Sequence, residues 1–141
     1  MILDGLSELN WLAVVVATVA WFALGGIWYA RPVMGRAWMR SIGMDPTGQV
    51  GRPSAMMFVW TLIAYFVTSI VIALIVAFTA TDDVGDALVL GVTLGVGFGL
   101  ASSLVTGVYE QKSRPLTYTL INGIYLILAF AGVSLILALW P

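Results

Sequence analysis

Apolar residues fall in four long runs, residues 10–29, 53–79, 87–109 and 116–140, separated by short polar connections. A helix needs roughly 20 residues to cross a hydrocarbon core of about 30 Å. Each run meets that length with no Asp, Glu, Lys or Arg inside it. The pattern predicts an all-α fold, an integral membrane four-helix bundle in which residues 1–141 form one transmembrane domain. Trp11 opens the first run and Trp28-Tyr29 closes it, as expected of aromatic side chains that settle at headgroup depth.

Arg31-Pro32 follows the first run. Proline lacks an N–H and disfavours helix in the residue before it, so the first helix ends or bends there. Over residues 33–42 a second pattern takes over: Met34, Trp38 and Ile42 share one helical face, and Arg36 and Arg40 share another. That spacing predicts a short amphipathic helix lying in the interface, its apolar arc toward acyl chains and Arg36 and Arg40 toward lipid headgroups. The alternative for the same residues is a cap over the bundle. Gly43 and Asp45-Pro46-Thr47-Gly48 supply turn chemistry before the next run.

The third run carries Gly91, Gly95, Gly99, Ser103 and Gly107, one small residue every fourth position. In lipid, helices associate through close backbone approach, which small residues permit. The ladder therefore predicts helix packing by these five residues and a central place for this helix. Its expected partner is the small-residue side of the first helix, with Ala13, Ala17, Ala20, Gly25 and Gly26. The same helix in a neighbouring copy is the other candidate. Polar atoms at depth are few. Thr61, Tyr65 and Ser69 share a face of the second run, and the fourth adds Thr119, Asn122 and Tyr125. A Thr or Ser hydroxyl can bond to the carbonyl one turn back, but the Asn122 amide needs a partner. Thr61, Tyr65, Asn122 and Tyr125 form a candidate polar cleft.

Composition agrees with the membrane reading: 61% of residues are hydrophobic, 9% are charged, and the mean hydropathy is +1.03. A chain of this size cannot hide so much apolar surface from water. All six basic residues lie in two connections, Arg31, Arg36, Arg40 and Arg52 after the first run and Lys112 and Arg114 after the third. Both connections are expected to be cytoplasmic, which places the N-terminus, the Asp82/Asp83/Asp86 loop and the C-terminus outside. The first nine residues carry Asp4 and Glu8 but no basic residue, unlike a secretory signal peptide, so the first helix is expected to be retained. A net charge of -1 points to no nucleic acid partner.

The chain has no Cys and no His. Disulfides, thiolate or imidazole metal sites and Cys-His or Ser-His nucleophilic pairs are thereby excluded. Asp82, Asp83 and Asp86 read as a solvated turn, and no metal or cofactor is expected. Pumps and proton-coupled carriers generally need ionisable groups at depth. The only candidate, Glu110, sits at the inner boundary beside Lys112 and Arg114.

The segments Asn10-Trp11-Leu12-Ala13-Val14, Leu24-Gly25-Gly26-Ile27-Trp28-Tyr29 and Gly35-Arg36-Ala37-Trp38-Met39-Arg40 resemble a bacterial integral membrane family known as domain of unknown function 1761. Tyr109-Glu110, Arg114-Pro115-Leu116 and Asn122-Gly123-Ile124-Tyr125 resemble its closing segment, so the likeness covers nearly the whole chain. It implies a four-helix fold and a bacterial inner-membrane location, and no activity. Leu126 departs from the resemblance, which implies a polar residue, often His, after the tyrosine. Proton chemistry at that spot is not expected here. What the residues themselves favour is a non-enzymatic structural or interaction module of the membrane, its partners being membrane lipids and either further copies of itself or another membrane protein. The alternative is a passive conduit or carrier for a small or apolar solute.

Overall fold

Local chemistry fixes where each helix begins. In the computed structural model, which describes residues 4–48 and 51–140, a short 3-10 turn (Asp4–Glu8) leads to Asn10. The Asn10 side chain accepts from the Ala13 N–H at 3.1 Å and caps α1 (Trp11–Trp28). A π turn (Arg31–Gly35) with Pro32 in its first positions follows, then α2 (Arg36–Ser41). Gly35 is needed there: a Cβ would run into the Tyr29 carbonyl and lie 2.9 Å from the Ala30 carbonyl atoms. Helix α3 (Ala55–Thr79) starts after Ser54, whose Oγ accepts from the Met57 N–H at 3.4 Å. Pro53 thus precedes the cap, whereas the apolar run placed it in the first turn of the helix.

Helix α4 (Val84–Tyr109) begins ahead of the predicted Ala87. The physical reason is Asp83, whose Oδ1 accepts from the Gly85 N–H at 2.7 Å and the Asp86 N–H at 3.1 Å. Those N–H groups hold its carboxyl below the usual carboxylate range. Asp86 falls in the first turn, where a negative charge meets the positive end of the helix dipole. These acids start a helix more than they form a loop. Helix α5 (Pro115–Leu139) opens on Pro115, whose missing N–H would be unpaired in a first turn anyway. Among the described residues there is no strand, and α1, α3, α4 and α5 are each long and apolar enough to span a membrane.

The centre of the bundle is α5, not the glycine-bearing α4. Half (50%) of the membrane-length window of α5 is buried, against 22% for α4. Helix α5 packs on α1, α3 and α4, whereas α4 packs chiefly on α5. The ladder accordingly meets neither of its two expected partners. A Cβ on Gly91 would press on Ala131 Cα and lie 2.6 Å from the Phe130 carbonyl oxygen, one on Gly95 2.5 Å from Ile127 Cα, and one on Gly99 2.6 Å from Leu126 Cβ. Packing explains the choice: α5 brings Ala131, Ile127 and Leu126 against the ladder, while Ala13 and Ala17 of α1, 1% and 0% exposed, are already spent in the core with α3 and α5.

The buried residues of α4 are Ala87, Gly91, Gly95, Gly99, Ser103 and Gly107, a strict period of four. In a straight helix of 3.6 residues per turn that series drifts by roughly 200° from first to last, far off any one face. A π turn over Gly95–Leu100 holds it in place. One inserted residue sets the phase back by about 100°, so both halves of the ladder stay on α5.

Helix α2 lies against the bundle. Its Met39 and Ser41 are buried, Arg36 and Arg40 are exposed, and Met34, Trp38 and Ile42 are half-buried. The Arg114 N–H donates to the Ser41 carbonyl at 3.0 Å, tying the end of α2 to the corner between α4 and α5. Gly43, at φ 83°, ends the segment. Much of the apolar arc assigned to acyl chains is therefore spent on protein, which is the geometry of a cap.

Candidate functional site

Helix α3 meets the core through one half only. Its buried residues are Ser69, Ile72, Ala73 and Val76, while residues 55–60 are all exposed. The half nearer the basic connections leaves a cleft against α1, α2 and α5. One lobe, of about 560 Å³, lies between Tyr29, Trp38, Met39, Met57, Tyr118 and Asn122. A second, of about 420 Å³, is bounded by Phe22, Gly25, Gly26 and Tyr65. Tyr29, Pro53, Phe58 and Thr61 line both. Each lobe is within the roughly 300–1,000 Å³ of small-molecule sites, and the walls are overwhelmingly apolar.

The polar floor is small and largely satisfied. The Tyr29 hydroxyl donates to Asn122 Oδ1 at 2.5 Å, and Asn122 Nδ2 donates to the Tyr118 carbonyl at 2.8 Å. The partner that the Asn122 amide requires is thus a tyrosine on α1. Thr61 Oγ1 donates to the Met57 carbonyl at 2.8 Å, a bond within its own helix. Beside them, Trp28 Nε1 donates across to the Ile121 carbonyl at 3.1 Å.

Behind the cleft the interior closes. The rings of Trp21 and Tyr65 stack, with centroids 4.1 Å apart and 4° between planes, and Phe130 meets Trp21 edge-on at 5.3 Å. The Tyr125 hydroxyl lies 2.9 Å from that of Tyr65 and donates to the Trp21 carbonyl at 3.4 Å. Gly25 makes this possible, since a Cβ there would sit 2.7 Å from the Tyr125 oxygen. Trp21 Nε1, Ser69 Oγ and Ser134 Oγ are buried in the core without a hydrogen-bond partner, a cost of about 1–3 kcal/mol each that the packing has to offset.

The four residues assigned to one polar cleft therefore separate. Thr61 and Asn122 share the larger lobe, Thr61 and Tyr65 the smaller, and Tyr125, 3% exposed, belongs to the aromatic core behind them. Tyr29, read from the sequence only as an interfacial aromatic, turns out to bridge both lobes. The one signal that singles it out is its place after Gly25-Gly26, whose missing side chains open the α1 wall.

Charge gathers at the same end. Arg31 stands at the mouth of the larger lobe and donates from Nη2 to the Gly48 carbonyl at 3.1 Å. Lys112 pairs with Glu110 at 2.7 Å, which raises the lysine pKa, and lies over the Tyr118 ring at 5.4 Å. Arg36 and Arg40 point away from the cleft, on the exposed side of α2. Among the described residues no three acidic side chains are placed to hold a metal.

A family described as protein of unknown function, DUF1761, matches residues 12–138. The chain belongs to the DUF1761 family. No curated protein and no solved structure matches it. In this DUF1761 chain the match runs from the start of α1 to the end of α5, so the cleft, the aromatic core and the α4–α5 seam all lie inside it.

Proposed function

We propose that this protein is a non-enzymatic interaction module of the bacterial inner membrane, non-conducting, with its basic end in the cytoplasm, both termini outside, and the cleft beside α3 as its working surface. The observation that carries this reading is the stacked Trp21–Tyr65 pair, with Phe130 on its edge and Tyr125 beneath, across the middle of the bundle. A conduit needs a path past these rings. The cleft stops at them and opens sideways, between the exposed start of α3 and the end of α1. An opening toward the bilayer suits a membrane-borne partner better than a water-borne solute. Arg36 and Arg40, exposed on α2, would meet phosphates at the membrane surface. The test is reconstitution into liposomes with stopped-flow measurement of swelling in small neutral solutes and of dye-reported cation entry. Rates equal to those of protein-free liposomes are expected. Solute entry that rises with the protein-to-lipid ratio would establish the conduit instead.

A further inference from the structure

We propose that the cleft seats an anionic phospholipid of the leaflet at the basic end, its phosphate on Arg31 and one acyl chain running inward along Tyr29, Phe58 and Thr61. This rests on the module reading and names the partner of its cleft.

Three features of the cleft match three parts of such a lipid in the order the bilayer imposes. At the mouth, Arg31 lies beyond the end of α1 and spends one N–H on Gly48. A guanidinium has five donors, and the planar fork of its remaining ones suits two oxygens of a phosphate. The acids at this end are engaged elsewhere: Asp45 accepts from the Thr47 N–H and hydroxyl, and Glu110 is paired with Lys112. Exposed Arg36, Arg40, Arg52 and Arg114 add positive field without opposing it at the mouth.

Deeper, Asn122 Nδ2 uses one hydrogen on the Tyr118 carbonyl, and its second has no partner among the described residues. An ester carbonyl is the acceptor a glycerolipid carries between phosphate and chain. Deeper still the walls are mainly rings, Phe22, Phe58 and Tyr65 beside Gly25 and Gly26, while Met39, Met44 and Met57 line the larger lobe nearer its mouth. Thioether side chains adapt to a flexible chain in a way branched ones do not. A zwitterionic lipid offers the same phosphate but brings its own cation to the basic mouth, which cancels much of the attraction, and a water-soluble anion would leave the apolar lobes empty.

The experiment uses purified protein in nanodiscs with a trace of phosphatidylglycerol carrying a photoreactive diazirine on one acyl chain, and a phosphatidylcholine probe with the same chains. After irradiation, labelled peptides are mapped by mass spectrometry. The expected result is labelling concentrated in residues 57–61 and 118–122, with phosphatidylglycerol favoured over phosphatidylcholine by about fivefold, the worth of one basic residue at an anionic surface. Arg31→Gln should remove that preference, and Asp86→Asn, an exposed charge at the opposite end of the bundle, should leave it. Equal labelling by both probes, or labelling spread over the exposed faces of α4, would overturn the lipid assignment. That failure is distinct from solute entry into liposomes, which would overturn the module reading beneath it.

Discussion

The α4–α5 seam makes a prediction that two alanine substitutions on one helix can decide. On Gly91 a Cβ meets only backbone: Ala131 Cα, Ala131 N at 2.7 Å and the Phe130 carbonyl oxygen at 2.6 Å. None of these is the end of a flexible side chain, so the helices must part by about 1 Å to restore contact near 3.5 Å. A gap of that size forfeits roughly a quarter to a half of the dispersion attraction at each neighbouring contact. Overpacking costs about 1–3 kcal/mol, and a backbone clash belongs in the upper part of that range. Replacing Gly by Ala within a helix returns about 1 kcal/mol. Gly91→Ala should therefore lose about 1–2 kcal/mol. On Gly97, nearly two turns on and facing outward, a Cβ meets nothing within 4 Å. Gly97→Ala should be neutral or gain about 0.5–1 kcal/mol.

Thermal unfolding in detergent, followed by tryptophan fluorescence at two protein concentrations tenfold apart, reads the difference. At about 4 °C per kcal/mol the two variants should separate by several degrees, on opposite sides of the parent. The separation should not change with concentration, because the partner helix is in the same chain. If Gly91→Ala is as stable as Gly97→Ala, close approach at the ladder is not what holds α4. If its defect appears only on dilution, the ladder joins two copies.

Two further outcomes are expected. Tyr125→Phe removes the hydroxyl shared with Tyr65 and the Trp21 carbonyl but keeps the ring, so it should cost about 0.6–1.7 kcal/mol, the range of hydrogen bonds between membrane helices. A double-mutant cycle with Tyr65→Phe measures the coupling, and strict additivity would refute the bond. For orientation, the chain lacks Cys, so Ser7→Cys should react with an impermeant maleimide in intact cells and Gly48→Cys only after lysis; the reverse pattern would invert the topology.

Hydropathy and periodicity made the number of helices, the turn at Gly43 and the ladder legible, because length, charge and small-residue spacing act within one segment. The central helix was not legible. Lipid tails are as apolar as Leu, so an apolar residue facing lipid and one facing another helix carry the same hydropathy. Helix α5, the most buried, therefore looks no different in composition from α3. Connectivity does not separate the candidates either, because the link at residues 80–83 ties α4 to α3 as closely as the link at residues 110–114 ties it to α5. The site was legible in part for a related reason. Thr61 and Asn122 stand out as polar atoms at depth, and both line the cleft. Tyr29 and Tyr125 carry the same side chain, yet one bridges the lobes and the other seals the core. Only the Gly25 notch that admits the Tyr125 hydroxyl separates their roles.

The ladder held more information than its packing reading took from it. A small residue every four positions cannot stay on one side of a straight α-helix beyond about three turns, because each step of four overshoots a turn by roughly 40°. Such a series either winds around its partner, as periods above 3.6 do in right-handed supercoils, or contains a wider turn. Here the wider turn falls at Gly95-Val96-Gly97-Phe98-Gly99, where Gly95 and Gly99 clear the space that Ile127 and Leu126 of α5 occupy. A strict period of four running through a glycine-rich centre thus encodes the π turn and the seam together. The seam fixes α4 to α5 and leaves α3 to pack with one half only. That half-packed helix is what opens the cleft beside Arg31, so the ladder shapes a site it never touches.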